Sequence, residues 1–464
     1  MSSPHVPSHS NPKILIVGAG LGGLTLGILL EKANIDYEIF EKYSESRPLG
    51  SATSLSPNVL PFLEQLGLME GLLKISKKAF RCGVYNESAG GETLELAGET
   101  NVESFVDVCG YQSLLMPRPD LHALLLSHIP AYKVHFSKRV LSIIQDDDNG
   151  VLIRTSDGKT HEGDILIGSD GAYSGVRQSL YQSMSKEGVL PSSDAQDMKV
   201  CHMSILGVTE PMDPAIVPSV EDETSRCDVI IGHKKPHTWR YFSAPNNRVC
   251  WRVDVQLETS SYVQSDAFRS SEWGSESSGS IEDDWRAFKI PLGVNDGYLT
   301  VGDLIENTPK DTISKVMLEE KLYTTWYHRR TVLMGDGAIN AMLDAVILAN
   351  SLYEIAKNAT PENIQSAFKE YYKERYHRAK SDLNASQTTA RLLAGQTWTD
   401  NLLRKAVFNF VPNYMQQLTF SKMLAYRPQA TFLPRVENRG TGKVDPQNES
   451  KRYQAEKAAK AALV

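Results

Sequence analysis

The feature that most restricts this chain is Gly18-Ala-Gly20-Leu-Gly22-Gly23, set directly after the apolar run Ile14-Leu-Ile-Val17. Glycines 18, 20 and 23 fit the GxGxxG pattern. The first permits a tight turn, the second lets a pyrophosphate approach the backbone, and the third lets a helix pack closely on the strand. Phosphates then lie at a helix N-terminus, where unpaired N–H groups and the helix dipole favour anions. Such a motif is common, so its surroundings decide its weight. Residues 13–17 are expected to form a buried strand, 24–33 a helix and 36–40 a second strand, which makes 13–41 a βαβ unit. Glu41 closes the second strand eighteen residues after Gly23, near the spacing for a carboxylate on a ribose. A packing turn followed by a surface Glu is the plainer alternative.

Composition excludes several classes. The chain has 464 residues, 41% hydrophobic and 23% charged, as in a globular protein with a sizeable core rather than a disordered or fibrous one. A net charge of −7 lacks the basic field of a nucleic-acid binder. Five cysteines (Cys82, Cys109, Cys201, Cys227 and Cys250) are scattered, odd in number and never in a CxxC pair. They fit buried thiols in a reducing, cytoplasmic setting better than disulfides or a metal site. Residues 1–11 are polar, without the basic start of a signal peptide. Residues 14–30 carry no charge over seventeen positions, but their glycines fit strand, turn and helix better than a transmembrane segment.

Further along, an apolar-periodic helix is expected over 59–73, a hairpin over 80–96 turning at Gly90-Gly91, and a helix opening at Arg118-Pro-Asp120. A second hairpin is expected from 134–145 and 151–156, and a buried strand at 165–168 runs into Asp170-Gly171. Strands and loops dominate from about 199 to 299, with a Ser/Glu-rich run at 270–284 that fits a solvated loop or a helix cap. A buried strand returns at 332–334, a long amphipathic helix follows over 338–358, and helical segments run on to about 425. A polar, extended tail is expected from Gly440. Asp336, at a Gly-Asp turn that opens a helix, is in a position to accept hydrogen bonds from a ribityl chain, and a simple helix cap is its alternative.

These motifs, in this order, resemble the group A (aromatic-hydroxylase-like) FAD-dependent monooxygenases, and most of all their fungal secondary-metabolite branch. The likeness covers residues 13 to about 434. It rests on the glycine motif, Arg47-Pro-Leu-Gly50-Ser-Ala, Ser56-Pro-Asn58, Arg118-Pro-Asp-Leu121, Asp170-Gly171, Trp326-Tyr-His-Arg-Arg-Thr-Val-Leu333, Ala345-Val-Ile-Leu-Ala-Asn350 and Tyr426-Arg-Pro-Gln429. The resemblance implies an α/β fold. A doubly wound Rossmann-type FAD-binding domain (11–80, 111–195 and 321–400) would carry an inserted β-sheet substrate domain (81–110 and 196–320), with a helical C-terminal part and tail (401–464). It implies Gly18, Gly20 and Gly23 on the pyrophosphate of FAD, Glu41 on the adenosine ribose and Ser54 at a backbone contact to the flavin. It places Arg118 on the flavin side chain or pyrophosphate, Asp336 on the ribityl or pyrophosphate, and Ala338 near the ring. Asp170 would support a segment touching FAD and the reductant. NADPH would be the reductant without a Rossmann domain of its own, and O₂ the co-substrate. No side chain is assigned as a catalytic group.

One departure stands out. After Gly335-Asp336 the family continues with a Pro-x-x-Gly-x-Gly loop, and here the passage to the long helix is about eleven residues shorter. The first expectation is an NADPH-driven epoxidase or hydroxylase acting on an apolar terpenoid or meroterpenoid. The shortened loop supports a second: a non-redox cyclase or pericyclase on the same fold, working by positioning alone. Thr238-Trp-Arg-Tyr-Phe242 and Cys250-Trp-Arg252 fit the wall of an apolar ligand pocket or an ordinary β core equally well. Nothing in the sequence sets an oligomeric state.

Overall fold

The computed structural model describes residues 11–46, 50, 52–103, 105–196, 198–233, 235–257, 283–294, 297–335, 337–394, 399, 402 and 421–462. The βαβ unit forms as the pattern dictates: strand Ile14–Val17, helix Leu21–Ala33, strand Tyr37–Phe40. All four residues of Ile14–Val17 are buried, because the strand is covered on both faces as parallel strands usually are. Ile14 and Ile16 enter one core with Leu24, Met342, Val346 and Phe368. Leu15 and Val17 enter another with Leu166, Val176 and Leu180.

This strand centres a six-stranded sheet in the order 327–328, 331–333, 165–168, 14–17, 37–40, 134–135, parallel except at its first pair. Helices Leu21–Ala33 and Ala338–Ile355 pack together on one face, and helix Gly175–Lys186 lies on the other. The chain winds to one side of Ile14–Val17 through Tyr37–Phe40, then returns to the other through Ile165–Gly168. That reversal opens a crevice at the carboxyl ends of the strands. Helix Ala338–Ile355 is long and apolar enough to cross a membrane, but Met342–Ala349 are core residues here.

The second layer is a mixed nine-stranded sheet. It runs Ser314–Glu320, Lys199–Val208, Arg248–Gln256, His237–Ala244, Thr224–Ile231, Lys77–Glu87, Leu114–Pro117 and Ala52–Leu55, with Leu94–Asn101 paired to Lys77–Glu87. Its strands alternate in sequence with those of the parallel sheet, so the parallel sheet is assembled from separated stretches of chain.

Three expectations change. The 59–73 helix is two, Leu60–Gln65 and Met69–Ile75, parted at Gly67, whose φ of +80° is a left-handed value no helix interior holds. The strand expected over 134–145 breaks at Ser137 (φ +57°), so Val134–His135 joins the parallel sheet and Val140–Asp147 a separate meander. The C-terminal stretch packs back instead of trailing off. Arg427 Nη1 donates to Cys109 O at 3.0 Å, Phe432 stacks on Tyr353, and helix Lys451–Ala461 is bound through Glu456 to Tyr353 and Lys357. Most of the 270–284 run and much of 395–420 lie outside the described residues.

Candidate cofactor site

The three motif glycines meet three different surroundings. Gly18 has φ +104°, and a Cβ there would meet Ser169 O at 2.4 Å, so the turn hugs the neighbouring strand end. A Cβ on Gly20 would meet nothing within 4 Å, because this residue faces an open cleft. A Cβ on Gly23 would fall 2.1 Å from Gly18 O, where the helix seats on the turn. Gly20 is also the helix N-cap and supplies no capping side chain. The first-turn amides of a thirteen-residue helix are therefore left for a ligand.

The cleft encloses about 540 Å³ along the strand ends. Gly18, Gly20, Glu41, Arg118 and Ala338 line it together. Glu41 Oε2 accepts from Ala19 N at 2.9 Å and Oε1 from Tyr43 N at 3.0 Å, so the carboxylate ties the glycine turn to the end of the second strand. Arg118 opens helix Arg118–Leu126, with Pro119 in the first turn, where its missing N–H costs nothing. Burial lowers the Arg118 pKa from the ordinary guanidinium value, and an arginine remains a cation all the same. Gly50, from the loop carrying the Arg-Pro-Leu-Gly motif, lies against it: a Cβ there would be 3.1 Å from Arg118 Cδ.

Asp170 does its work as a helix cap. Its carboxylate accepts from Ser174 Oγ (2.5 Å), Gly175 N (2.7 Å) and Val176 N (3.2 Å) at the start of helix Gly175–Lys186. Burial pushes its pKa up, against those bonds. Gly23 stands behind the cleft as packing. Ser54, expected at a flavin contact, sits exposed on strand Ala52–Leu55 opposite Leu115 and does not line the cleft. Asp336 lies outside the described residues.

Two features of the site were not anticipated. His122, one helical turn beyond Arg118, donates through Nε2 to Ala19 O at 2.7 Å and meets Ser46 Oγ through Nδ1 at 2.9 Å. Burial, joined by Arg118, lowers its pKa against the pull of the Ala19 bond and Glu41. The other is what holds the shortened passage after strand Thr331–Leu333. Gly335 N donates to Asp344 Oδ2 at 2.8 Å, Asp344 Oδ1 accepts from Arg375 Nε at 2.6 Å, and Arg375 Nη2 donates to Asn340 Oδ1 at 2.9 Å. Asp344 and Arg375 are both buried. The only signal for this in the sequence is an acid inside the apolar run Ala341-Met-Leu-Asp-Ala-Val-Ile-Leu348. A second cavity of about 320 Å³, walled in part by Arg177, Tyr323, Trp326 and Leu383, shares Asp170, Gly171 and Gly335 with the cleft.

A cleft at the reversal point of a parallel sheet, in a chain that also carries a large mixed sheet, matches the FAD-binding monooxygenase fold. Residues 11–240 match the FAD binding domain family. Over 460 residues the chain is 28% identical to "FAD-dependent monooxygenase ausM" of Aspergillus calidoustus, covering 93% of this chain and 90% of that one. It is 27% identical over 463 residues to "FAD-dependent monooxygenase atmM" of Aspergillus flavus, covering 93% and 88%. Among solved structures, HpxO of Klebsiella pneumoniae complexed with FAD and uric acid superposes with a TM-score of 0.67 at 18% identity, covering 89% of this chain and 96% of that one. CtdE in complex with FAD and substrate 4 gives 0.64 at 16%, covering 90% and 98%. Residues 11–240 carry an FAD binding domain, and along nearly its whole length the chain is similar to FAD-dependent monooxygenases of fungal secondary metabolism, likenesses that show an FAD-dependent oxidoreductase. The residues present fit the dinucleotide half of FAD: open space over Gly20, an uncapped helix N-terminus and a half-buried cation at Arg118.

Proposed function

We propose that this enzyme uses NADPH and O₂ to epoxidise or hydroxylate an apolar small molecule, a terpenoid or meroterpenoid, in cytoplasmic secondary-metabolite biosynthesis. The observation that carries this is the convergence of Gly18, Gly20, Glu41 and Arg118 on one cleft at the strand ends. FAD, when bound, supplies hydride acceptance from a nicotinamide and the activation of O₂ for oxygen transfer. The protein's share is positional. The first helix's free amides and Arg118 would hold the pyrophosphate, and Glu41 would meet the ribose at the end of the second strand. Ala338 would lie beside the flavin end, at the start of a helix whose N-cap, Gly337, carries no side-chain cap.

The terpenoid class and NADPH rest on the likeness to the fungal branch. The four-residue passage from Met334 to Gly337 favours the second reading, a non-redox cyclase held together by Asp344 and Arg375. The two separate in one experiment. FAD-loaded protein is incubated with NADPH, ¹⁸O₂ and a panel of farnesyl- and geranylgeranyl-phenols. The monooxygenase account predicts substrate-stimulated NADPH consumption and one ¹⁸O per product. Product formed without NADPH under anaerobic conditions overturns it in favour of the cyclase.

A further inference from the structure

The aromatic-rich strands left open by the sequence divide cleanly between the two faces of the large sheet. Trp239, Tyr241 and Trp251 belong to a buried cluster with Trp285, Phe288 and Leu304, and Trp239 stacks on Phe288 at 4.4 Å. They are core. The opposite face carries Arg240 and Arg252. Ser314, Leu206, Arg252 and Arg240 are register partners in turn across four neighbouring strands, so their side chains project from one face. That face can be oriented. Ser314 Oγ accepts from Gly50 N at 3.3 Å, and Gly50 rests on Arg118 of the cofactor cleft. The row of arginines therefore fronts the cleft side of the sheet.

On this face Arg252 Nε donates to Asp254 Oδ1 at 2.5 Å and Arg240 Nη2 to Asp254 Oδ2 at 2.9 Å. Ser204 Oγ adds a third bond to Asp254. Asp254 is 8% exposed, whereas the side chains of Arg240 and Arg252 keep 37% and 29% of their surface. Two cations share one anion. Among the described residues no second carboxylate pairs with either arginine, and Arg240 Nε is buried without a hydrogen-bond partner. Like charges directly opposite on neighbouring strands are unfavourable, and one carboxylate leaves a net positive charge on a partly enclosed wall. Arginine forks fit planar, delocalised oxyanions well.

We propose that Arg240 and Arg252 receive an ionised oxygen group, a carboxylate or enolate, on an otherwise apolar substrate. This rests on the monooxygenase reading for where oxygen transfer takes place, while the anion site itself is measured independently of it. The test uses FAD-loaded full-length protein, with farnesoic acid and its methyl ester as probes, titrated by calorimetry. The acid is expected to bind at least about tenfold more tightly than the ester, the size of one charge-assisted contact. Arg240→Gln and Arg252→Gln should each remove most of that preference and leave ester binding unchanged. Arg252→Lys, which keeps the charge, should retain part of it, and thermal melts show that each variant is folded. Equal binding of acid and ester, a preference that survives both Gln substitutions, or no binding of the acid overturns the proposal. Flavin content is recorded on the same samples: colourless protein that still prefers the acid refutes the monooxygenase reading and leaves the anion site standing.

Discussion

Glu41 and His122 grip the same residue from opposite sides. Glu41 accepts the Ala19 N–H and His122 donates to the Ala19 carbonyl, so the middle of the glycine turn is fixed before any nucleotide arrives. Preorganisation of this kind lowers the ordering cost of binding. The histidine also makes the clamp sensitive to acid. Because burial depresses its pKa in the native state, the unfolded chain takes up the proton first as pH falls below about 6.5. Stability on this account is full above that value and declines below it, until the native imidazole itself protonates. His122→Gln is expected to cost about 1 kcal/mol at pH 7.5 through the altered hydrogen bonding. Its loss of melting temperature between pH 7.5 and 5.5 should be smaller than the wild type's, and parallel melting curves for the two proteins would refute the assignment. Glu41 was legible in the sequence because it lies at a fixed distance from Gly23 within one βαβ unit. His122 was not, because it meets Ala19 across about a hundred residues of chain and nothing local marks that meeting.

At the scale of elements, the shortened passage after Leu333 is stabilised by the helices it joins. Asp344 on helix Ala338–Ile355 holds the Gly335 amide, and Arg375 on helix Pro361–Ala394 holds Asp344. Burial opposes the Arg375 charge, but the adjacent carboxylate more than offsets that and raises its pKa. Removing one member leaves the other charged and buried, a change that typically costs about 3–5 kcal/mol. Asp344→Ala should therefore lose about that much in urea unfolding, and the double variant Asp344→Ala/Arg375→Met should recover most of it. Single variants within 1 kcal/mol of wild type would show that the pair does not secure the passage. The strands themselves were legible: runs such as Ile14–Val17 and Ile165–Gly168 are apolar on both faces, as parallel strands covered by helices must be. The face chosen by Arg240 and Arg252 was not. A period of two shows that Trp239 and Arg240 point apart, but only the packing of Trp285 and Phe288 on one side settles which residue is core.

For the molecule as a whole, the hydrophobic cores divide between two tasks. Two clusters hold the parallel sheet between its helices, and another backs the large sheet, whose opposite face carries Arg240 and Arg252. The C-terminal stretch, polar enough in sequence to suggest a free tail, instead binds this framework through Arg427, Phe432 and Glu456. Polar residues that pair with distant partners carry no apolar periodicity, which is why they escape a pattern-based expectation. The monooxygenase account depends on the cleft accepting flavin nucleotide despite the short passage beyond it. The most direct measurement is equilibrium titration of purified full-length protein with FAD, followed by absorbance near 450 nm and by flavin fluorescence. The account predicts saturation at about one FAD per chain, weakened roughly tenfold or more by Glu41→Ala, whose lost charged hydrogen bonds are worth about 1.5–3 kcal/mol. Protein that stays colourless and leaves the fluorescence of added FAD unchanged would contradict it.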